Sequence, residues 1–310
     1  MNRRSFLERT GALSAGGLIS TMTRPDNPMT IPADTRLIIL ATSWGFAGSI
    51  DQFCEAAKKE GYDGIEVWWP DNAADEQALF TALKKHQLEV GFLVAGSEKD
   101  PVAHLATFTK NLQAAVSNTT QRPVYINCHS GRDYFSMEDG FRFIDATTKA
   151  HQQTGIPVYH ETHRSRLMYS APIAHQYLLK RTDLMLNADL SHWCNVHETL
   201  LEDQEETLQL VVQRSGHIHA RIGHPEGPQV NDPRAPEWSQ ALERHLSWWD
   251  EIIKNKVKRK EGPVTILTEF GPTHYMPALP YTVQPVANQW EINVYMMNLL
   301  RKRYTNPEHA

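Results

Sequence analysis

Four side chains that could bind a metal ion recur along the second half of the sequence at nearly regular intervals. They are Glu161, Asp189, His219 and Glu269. Asp189 follows Glu161 by 28 positions and His219 follows Asp189 by 30, and one strand–helix unit of an eight-unit α/β barrel averages about 31 residues. Glu269 lies 50 positions beyond His219, and a proline-rich segment over 223–237 accounts for the longer interval. The spacing therefore predicts that the four side chains lie at equivalent heights on four successive strands.

Each of these residues stands among apolar, strand-forming neighbours. An unpaired charge buried in such a segment would be very costly, so charged groups there are usually paired or bind a metal. Two glutamates, one aspartate and one histidine make an oxygen-rich set, which suits Mn²⁺, Mg²⁺, Co²⁺ or Zn²⁺ better than a metal that prefers thiolates. The sequence therefore predicts a site for one divalent cation, and the alternative is four unrelated polar residues at strand ends.

The segments that must position these residues alternate between two patterns from Arg36 onward. Short apolar runs predict strands over 37–41, 64–69, 90–95, 124–128, 158–162, 184–190, 216–221 and 264–269. Apolar residues at helical spacing predict helices over 50–60, 74–86, 104–116, 140–152, 173–179, 198–213, 238–254 and 287–301. Eight strand-then-helix units predict the α/β class and a (β/α)8 TIM barrel, a single domain over 33–310. An open doubly wound sheet would usually carry a glycine-rich turn after the first strand, which 42–46 does not supply.

In such a barrel the active site forms at the C-terminal ends of the strands. Seven further side chains fall at or near those ends and are predicted to bind the substrate: Glu66, Trp68, His129, His163, His192, His217 and Arg221. His192 and His217 could instead support the metal ligands from behind, and Trp68 could pack in the core. Arg221 shares the inward parity of His217 and His219, so it could hold a hydroxyl, carboxylate or phosphate group.

The first residues have the build of an export signal. An arginine pair, Arg3 and Arg4, precedes Ser-Phe-Leu and a glycine- and alanine-rich run that ends near Ser20. The pair resembles the twin-arginine motif, which a translocation machinery reads as an address. We therefore expect residues 1–32 to be a signal peptide with a disordered lead, and the protein to act in the periplasm or another extracytoplasmic space. The apolar run is too short and too rich in glycine to span a membrane stably.

Composition narrows the function further. The 310 residues carry a formal net charge of −5 with a pI near 6.3, which argues against a nucleic-acid partner because such proteins usually show a basic excess. The three cysteines are far apart, so neither a disulfide framework nor a paired-cysteine zinc site is expected. The sequence leaves a homo-oligomer open.

Three short motifs at the predicted strand ends resemble the sugar phosphate isomerase/epimerase superfamily, the xylose isomerase-like barrels. They are Glu-Thr-His-Arg from Glu161, Asp-x-x-His from Asp189, and His-x-His ending at His219. The resemblance covers the chain from Arg36 to the C-terminal helix. As a set the motifs are specific for the superfamily, but they distinguish its activities poorly.

The resemblance implies a metal ligand set and a reaction. In that superfamily a Glu, an Asp, a His and a final Glu on strands five to eight bind a divalent cation, and these map onto Glu161, Asp189, His219 and Glu269. It implies a metal-dependent isomerase or epimerase of a sugar or keto-sugar, in which a proton is removed next to a carbonyl and the metal stabilises the enediolate. Glu161 and Glu269 are the expected catalytic base and acid.

Three other functions fit parts of the pattern. A lyase or hydratase acting on 3-keto-glycosides needs the same enolate stabilisation, so it stays open. An endonuclease of the same superfamily acting on abasic DNA is disfavoured by the acidic composition and the export signal. A non-catalytic carbohydrate-binding barrel is the alternative from another class, and the four competent ligand residues argue against it.

Overall fold

Eight parallel strands close into a barrel in the computed structural model, which describes residues 29–304. The strands are β1 Leu37–Thr42, β2 Gly64–Trp68, β3 Glu89–Ala95, β4 Tyr125–His129, β5 Val158–Glu161, β6 Leu186–Ala188, β7 Ser215–Ala220 and β8 Val264–Thr268. Each strand pairs with the next one in sequence, and β1 pairs with β8 to close the barrel. The predicted (β/α)8 fold is confirmed.

Helices follow every strand. They are α1 Ile50–Glu60, α2 Ala73–His86, α3 Pro101–Ser117, α4 Met137–Thr154, α5 Ala171–Lys180, α6 Ser191–His197, α7 Glu205–Arg214, α8 Ser239–Arg259 and α9 Gln289–Tyr304. Local chemistry sets several boundaries: Ser49 forms a capping box with Gln52 at the start of α1, and Gly61 ends that helix with φ near 95°. Among residues 29–304, no helix is both long enough and apolar enough to cross a membrane.

Aromatic side chains fill the interior below the strand ends. Tyr125 and Tyr159 pack there with Ile38 and other apolar residues. A glycine lies against each tyrosine: a Cβ at Gly91 would come 2.4 Å from the Tyr125 ring, and one at Gly216 would come 2.4 Å from the Tyr159 ring. Only glycine leaves room for these rings, so the lower barrel is a packed core and the polar side chains collect above it.

The helix predicted over 198–213 is confirmed from Glu205 onward and wrong over 198–204. The structure instead has the short helix α6 directly after β6, a break at 198–204, and then α7. The break contains left-handed residues at Glu198 and Leu201. Trp193 in α6 is buried, and its Nε1 donates to the carbonyl oxygen of Met168 at 2.8 Å, which anchors the short helix to the loop after β5.

The long connection after β7 is held in place by the loop after β8. The segment over 223–237 is tied to the β8 loop, because Gln229 accepts from the Gly271 N–H at 2.7 Å and donates to the Gly271 carbonyl at 3.1 Å.

At the N-terminal end of the described residues, Met29 donates to the carbonyl oxygen of Arg303 and Ile31 is buried in the core. Ordered contacts thus begin within the predicted lead, while residues 1–28, which carry the predicted signal, lie outside the described residues.

Candidate metal centre

The structure brings the four predicted ligands together at the C-terminal end of the barrel. Glu161 ends β5, Asp189 follows β6, His219 lies in β7 and Glu269 follows β8. One potential ligand atom from each residue lies within 4.8 Å of the others. Two ligand atoms that lie about 2.0–2.5 Å from one ion are at most about 4–5 Å apart, so the observed spacing is close to what a shared ion requires.

In three of the four residues, a potential ligand atom has no hydrogen-bond partner among the residues that the structure describes. These buried atoms are Glu161 Oε1, His219 Nδ1 and Glu269 Oε2. His219 Nδ1 lies 2.9 Å from Glu269 Oε2, but the contact is not aligned as a hydrogen bond. Leaving such groups buried without a partner costs about 1–3 kcal/mol each. A divalent cation would satisfy all three, so the donor set fits the predicted metal.

The charges around the centre also fit a bound cation. Three ligand carboxylates and Glu66 face two guanidinium groups, those of Arg221 and Arg166. With the imidazoles neutral, as His219 would be once it binds a metal, four negative and two positive groups leave two negative charges, which is the charge one divalent cation neutralises. Uncompensated buried charge is strongly destabilising, so the balance supports a single M²⁺.

Asp189 differs from the other three ligands because both of its oxygens already accept hydrogen bonds. Oδ2 accepts from Arg221 Nη2, and Oδ1 accepts from the Ser191 N–H at 3.2 Å. Arg221 also approaches Glu269 Oε2 at 3.4 Å. Burial raises the pKa of the Asp189 carboxyl, and the adjacent guanidinium opposes that rise. A carboxylate oxygen has two lone pairs, so Oδ2 can accept from Arg221 and still face a cation.

His219 is surrounded by carboxylates. Its Nε2 lies 3.3 Å from the Glu66 carboxylate, on the side away from the centre. Burial by itself lowers the pKa of this imidazole, but the three carboxylates around it outweigh burial and hold the pKa well above its ordinary value. In the metal-free protein His219 is therefore an imidazolium, and Glu66 fixes its orientation.

Glu161 is held by two donors on one oxygen. Its Oε2 accepts from Asn127 Nδ2 at 2.7 Å and from His129 Nε2 at 3.0 Å. The other oxygen, Oε1, is buried and makes no hydrogen bond within residues 29–304. The sequence reasoning missed Asn127, although it has the same inward parity as His129 two residues later.

A cavity of about 350 Å³ opens beside the centre. Five of the seven predicted substrate-binding residues line it: Glu66, Trp68, His129, His163 and Arg221. Trp44 and Tyr275, which the sequence reasoning missed, complete its aromatic wall, with ring centroids 4.8 Å apart. Of the four predicted metal ligands, Glu269 is the one that lines the cavity.

The structure places His192 and His217 away from this cavity. His192 has no exposed surface, and its Nε2 accepts from Arg221 Nη2 at 2.8 Å. His217 lies one layer deeper, stacked on Tyr125 with centroids 3.9 Å apart, and its Nδ1 donates to the carbonyl oxygen of Thr265 at 2.9 Å. Neither position fits the predicted contact with substrate: His192 contacts Arg221, which holds Asp189, and His217 contacts the backbone of β8.

The barrel has structural relatives, although no family model and no curated protein matches the sequence. A D-tagatose 3-epimerase-like protein aligns with a TM-score of 0.54 at 10% identity, over 88% of this chain and 100% of that chain. A sugar phosphate isomerase/epimerase from Parabacteroides distasonis aligns with a TM-score of 0.53 at 11% identity, over 87% and 96%. Endonuclease IV from Thermus thermophilus aligns with a TM-score of 0.51 at 13% identity, over 89% and 100%. At these identities the likeness establishes the barrel fold.

Proposed function

We propose that the protein is a divalent-metal-dependent isomerase or epimerase of a sugar or keto-sugar. The observation that carries the proposal is the convergence of Glu161, Asp189, His219 and Glu269 within 4.8 Å beside a small cavity with aromatic walls. Resemblance to the structures of sugar-isomerising barrels adds a precedent for this chemistry on the same fold.

The bound cation and the carboxylates have separate roles in the proposed reaction. A bound cation would polarise the substrate carbonyl and stabilise the enediolate. Glu269, with 13% of its side chain exposed, lines the cavity and is the carboxylate placed to take a proton from the adjacent carbon. Burial raises the pKa of Glu269, but His219 and Arg221 outweigh burial and hold the pKa below its ordinary value, so the group is ionised and able to accept a proton. Glu269 then holds the proton and is placed to return it to the substrate. Glu161, the other expected catalytic residue, lies outside the cavity lining, and His129 and His219 outweigh burial and hold its pKa well below the ordinary value, so it carries no proton to donate.

The cavity suits a small polar ring. Its volume is at the lower end of the range for ligand pockets. His163 Nδ1 accepts from the Ser165 N–H at 3.3 Å, so the neutral ring carries its proton on Nε2 and can donate to a hydroxyl group. Trp68, 51% exposed at the mouth, offers an apolar face to the substrate.

One experiment separates the candidate functions. The protein is loaded with Mg²⁺ and incubated in D2O with free sugars and with 3-keto-glycosides, and proton NMR follows the products. Deuterium at the carbon next to the carbonyl is the expected result. Release of the aglycone would assign a lyase, and binding without either change would assign a carbohydrate-binding barrel. No binding and no exchange with any sugar would overturn the proposal.

We also propose that the protein is exported through the twin-arginine pathway, on the basis of Arg3 and Arg4. Replacing both arginines by lysine should leave the protein in the cytoplasm, whereas the unchanged chain should fractionate with the periplasm. Equal distribution of the two forms would refute this route. Lys58 and Lys59, which are exposed on α1, are a suitable pair of basic residues for the control replacement. Arg301 and Arg303 are not suitable, because both make buried or half-buried contacts.

A further inference from the structure

Arg166 lies just after β5 and contacts the ring of His129. Its Nη2 is 3.3 Å from His129 Nδ1. Its Nε and Nη1 atoms are buried and have no hydrogen-bond partner among the residues the structure describes. A guanidinium group only donates hydrogen bonds. His129 Nδ1 must therefore accept, and the proton of the neutral ring lies on Nε2.

The protonated nitrogen of His129 faces the metal centre. Nε2 donates to Glu161 Oε2 at 3.0 Å. A chain of two hydrogen bonds thus runs from Arg166 through the imidazole to the Glu161 carboxylate. Oε1 of Glu161 is buried and makes no hydrogen bond among the residues that the structure describes, so its lone pairs are free for a cation.

The backbone holds Arg166 in this place. Leu167 N–H donates to the carbonyl oxygen of Ser130 at 3.1 Å, which ties the loop after β5 to the loop after β4. Gly131, at φ near 56°, lies under Leu167, and a Cβ there would come 2.8 Å from a leucine methyl carbon. The two loops are therefore packed closely, and Arg166 projects from their junction.

The hydrogen bonds from Arg166 to His129 and from His129 to Glu161 also explain why His129 is a poor candidate for a metal ligand of its own. One atom from each of His129, Glu161 and His163 lies within 4.8 Å of the others, as a second metal site would require. Both His129 nitrogens are already committed, since Nδ1 accepts from Arg166 and Nε2 donates to Glu161. Neither nitrogen has a free lone pair to offer a cation.

We propose that Arg166 is a positioning residue that acts through His129 on Glu161 and sets the affinity of the metal centre. The inference rests on the proposed metal centre. Arg166 donates to Nδ1 of His129 and so favours the tautomer in which Nε2 donates to Glu161. Hydrogen-bonding partners behind a metal ligand typically contribute 10- to 100-fold to metal affinity.

The test compares two matched arginines. Arg166→Met keeps the unbranched stem but removes the donor, and Arg132→Met removes the same charge from the neighbouring loop without touching His129. Titration calorimetry of metal-free protein with Mn²⁺ should show a dissociation constant about 10- to 100-fold higher for Arg166→Met. Arg132→Met should stay within about twofold of the parent, and Arg166→Lys, which can still donate to Nδ1, should recover part of the loss.

A second measurement reads the tautomer directly. In metal-free protein labelled with ¹⁵N-histidine, the parent and Arg132→Met should show His129 protonated on Nε2, and Arg166→Met should show a mixture of tautomers. An unchanged tautomer, unchanged Mn²⁺ affinity in Arg166→Met, or equal losses in the two methionine variants would overturn the inference. Failure of the parent to bind Mn²⁺ would instead overturn the proposed function, and the tautomer measurement would still decide whether Arg166 controls His129.

Discussion

The Nε2 atom of His219 lies 3.3 Å from the carboxylate of Glu66, on the opposite side of the ring from the atom that faces the metal centre. A carboxylate behind a ligating histidine fixes the ring and its tautomer. In this arrangement Nε2 keeps its proton and donates a hydrogen bond to Glu66. Nδ1 is therefore the nitrogen of His219 that would bind a cation.

Metal binding should therefore release a proton. The pKa of His219 is raised well above its ordinary value, so the ring is protonated at pH 7 and the metal must displace the proton from Nδ1. Affinity should rise about tenfold for each pH unit while pH is below that pKa, and level off above it. Calorimetry in two buffers of different ionisation enthalpy measures the proton count. Binding with no proton release would contradict this assignment of His219.

Glu66→Gln tests the carboxylate behind the ligand. The amide oxygen can still accept from Nε2, so the geometry is kept while the negative charge is lost. We expect metal affinity to fall about tenfold, and the pH at which affinity levels off to move downward, because one of the groups that raises the His219 pKa is gone. Glu89→Gln is the matched control, since Glu89 pairs with Arg36 at the other end of the barrel. An unchanged pH profile in Glu66→Gln would remove Glu66 from this role.

A bound cation should stabilise the fold. Ligand at 100 times its dissociation constant contributes about 2.7 kcal/mol to the free energy of unfolding. For a chain of this length that corresponds to a rise in Tm of about 5 °C. Scanning calorimetry with and without Mn²⁺ measures the shift, and EDTA should reverse it. Asp189→Asn, which removes one ligand charge, should show a smaller rise; an equal rise would place the ion elsewhere.

The barrel was predictable because each strand is a short apolar run and each helix has its own periodicity. The ligand set was predictable for a related reason: a charged residue such as Asp189 stands out within an apolar strand. The helix break at 198–204 was not predictable, because the short helix before it is anchored by the contact of Trp193 with the loop that carries Met168. That contact joins segments 25 residues apart.

The supporting residues escaped prediction because their roles depend on partners in other strands. Asn127 contacts Glu161 from 34 positions away, and neither residue type nor spacing marks the pair. Trp44 and Tyr275 follow β1 and β8, at opposite ends of the sequence, and they meet because those two strands close the barrel. Cavity walls of this kind become visible only once the topology is known.

Trp68→Ala should weaken sugar binding with little effect on stability. The side chain is 51% exposed at the mouth of the cavity, so little buried area is lost on truncation. Loss of an aromatic face should raise KM by about 2- to 10-fold and leave kcat nearly unchanged. Trp69→Phe is the control, because Trp69 packs on Phe92 with centroids 5.0 Å apart. Unchanged KM in Trp68→Ala would remove this residue from the substrate site.

Glu269→Gln should abolish turnover while the protein remains folded. The amide cannot accept the substrate proton, and a positioned base contributes about 10²- to 10⁴-fold to a rate. Because a neutral oxygen is also a weaker ligand, the variant is assayed at saturating metal, so that loss of kcat is separated from loss of the ion. Glu291→Gln, at the exposed start of α9, is the matched control and should retain full activity. Activity within a few fold of the parent in Glu269→Gln, with metal bound, would show that another group moves the proton.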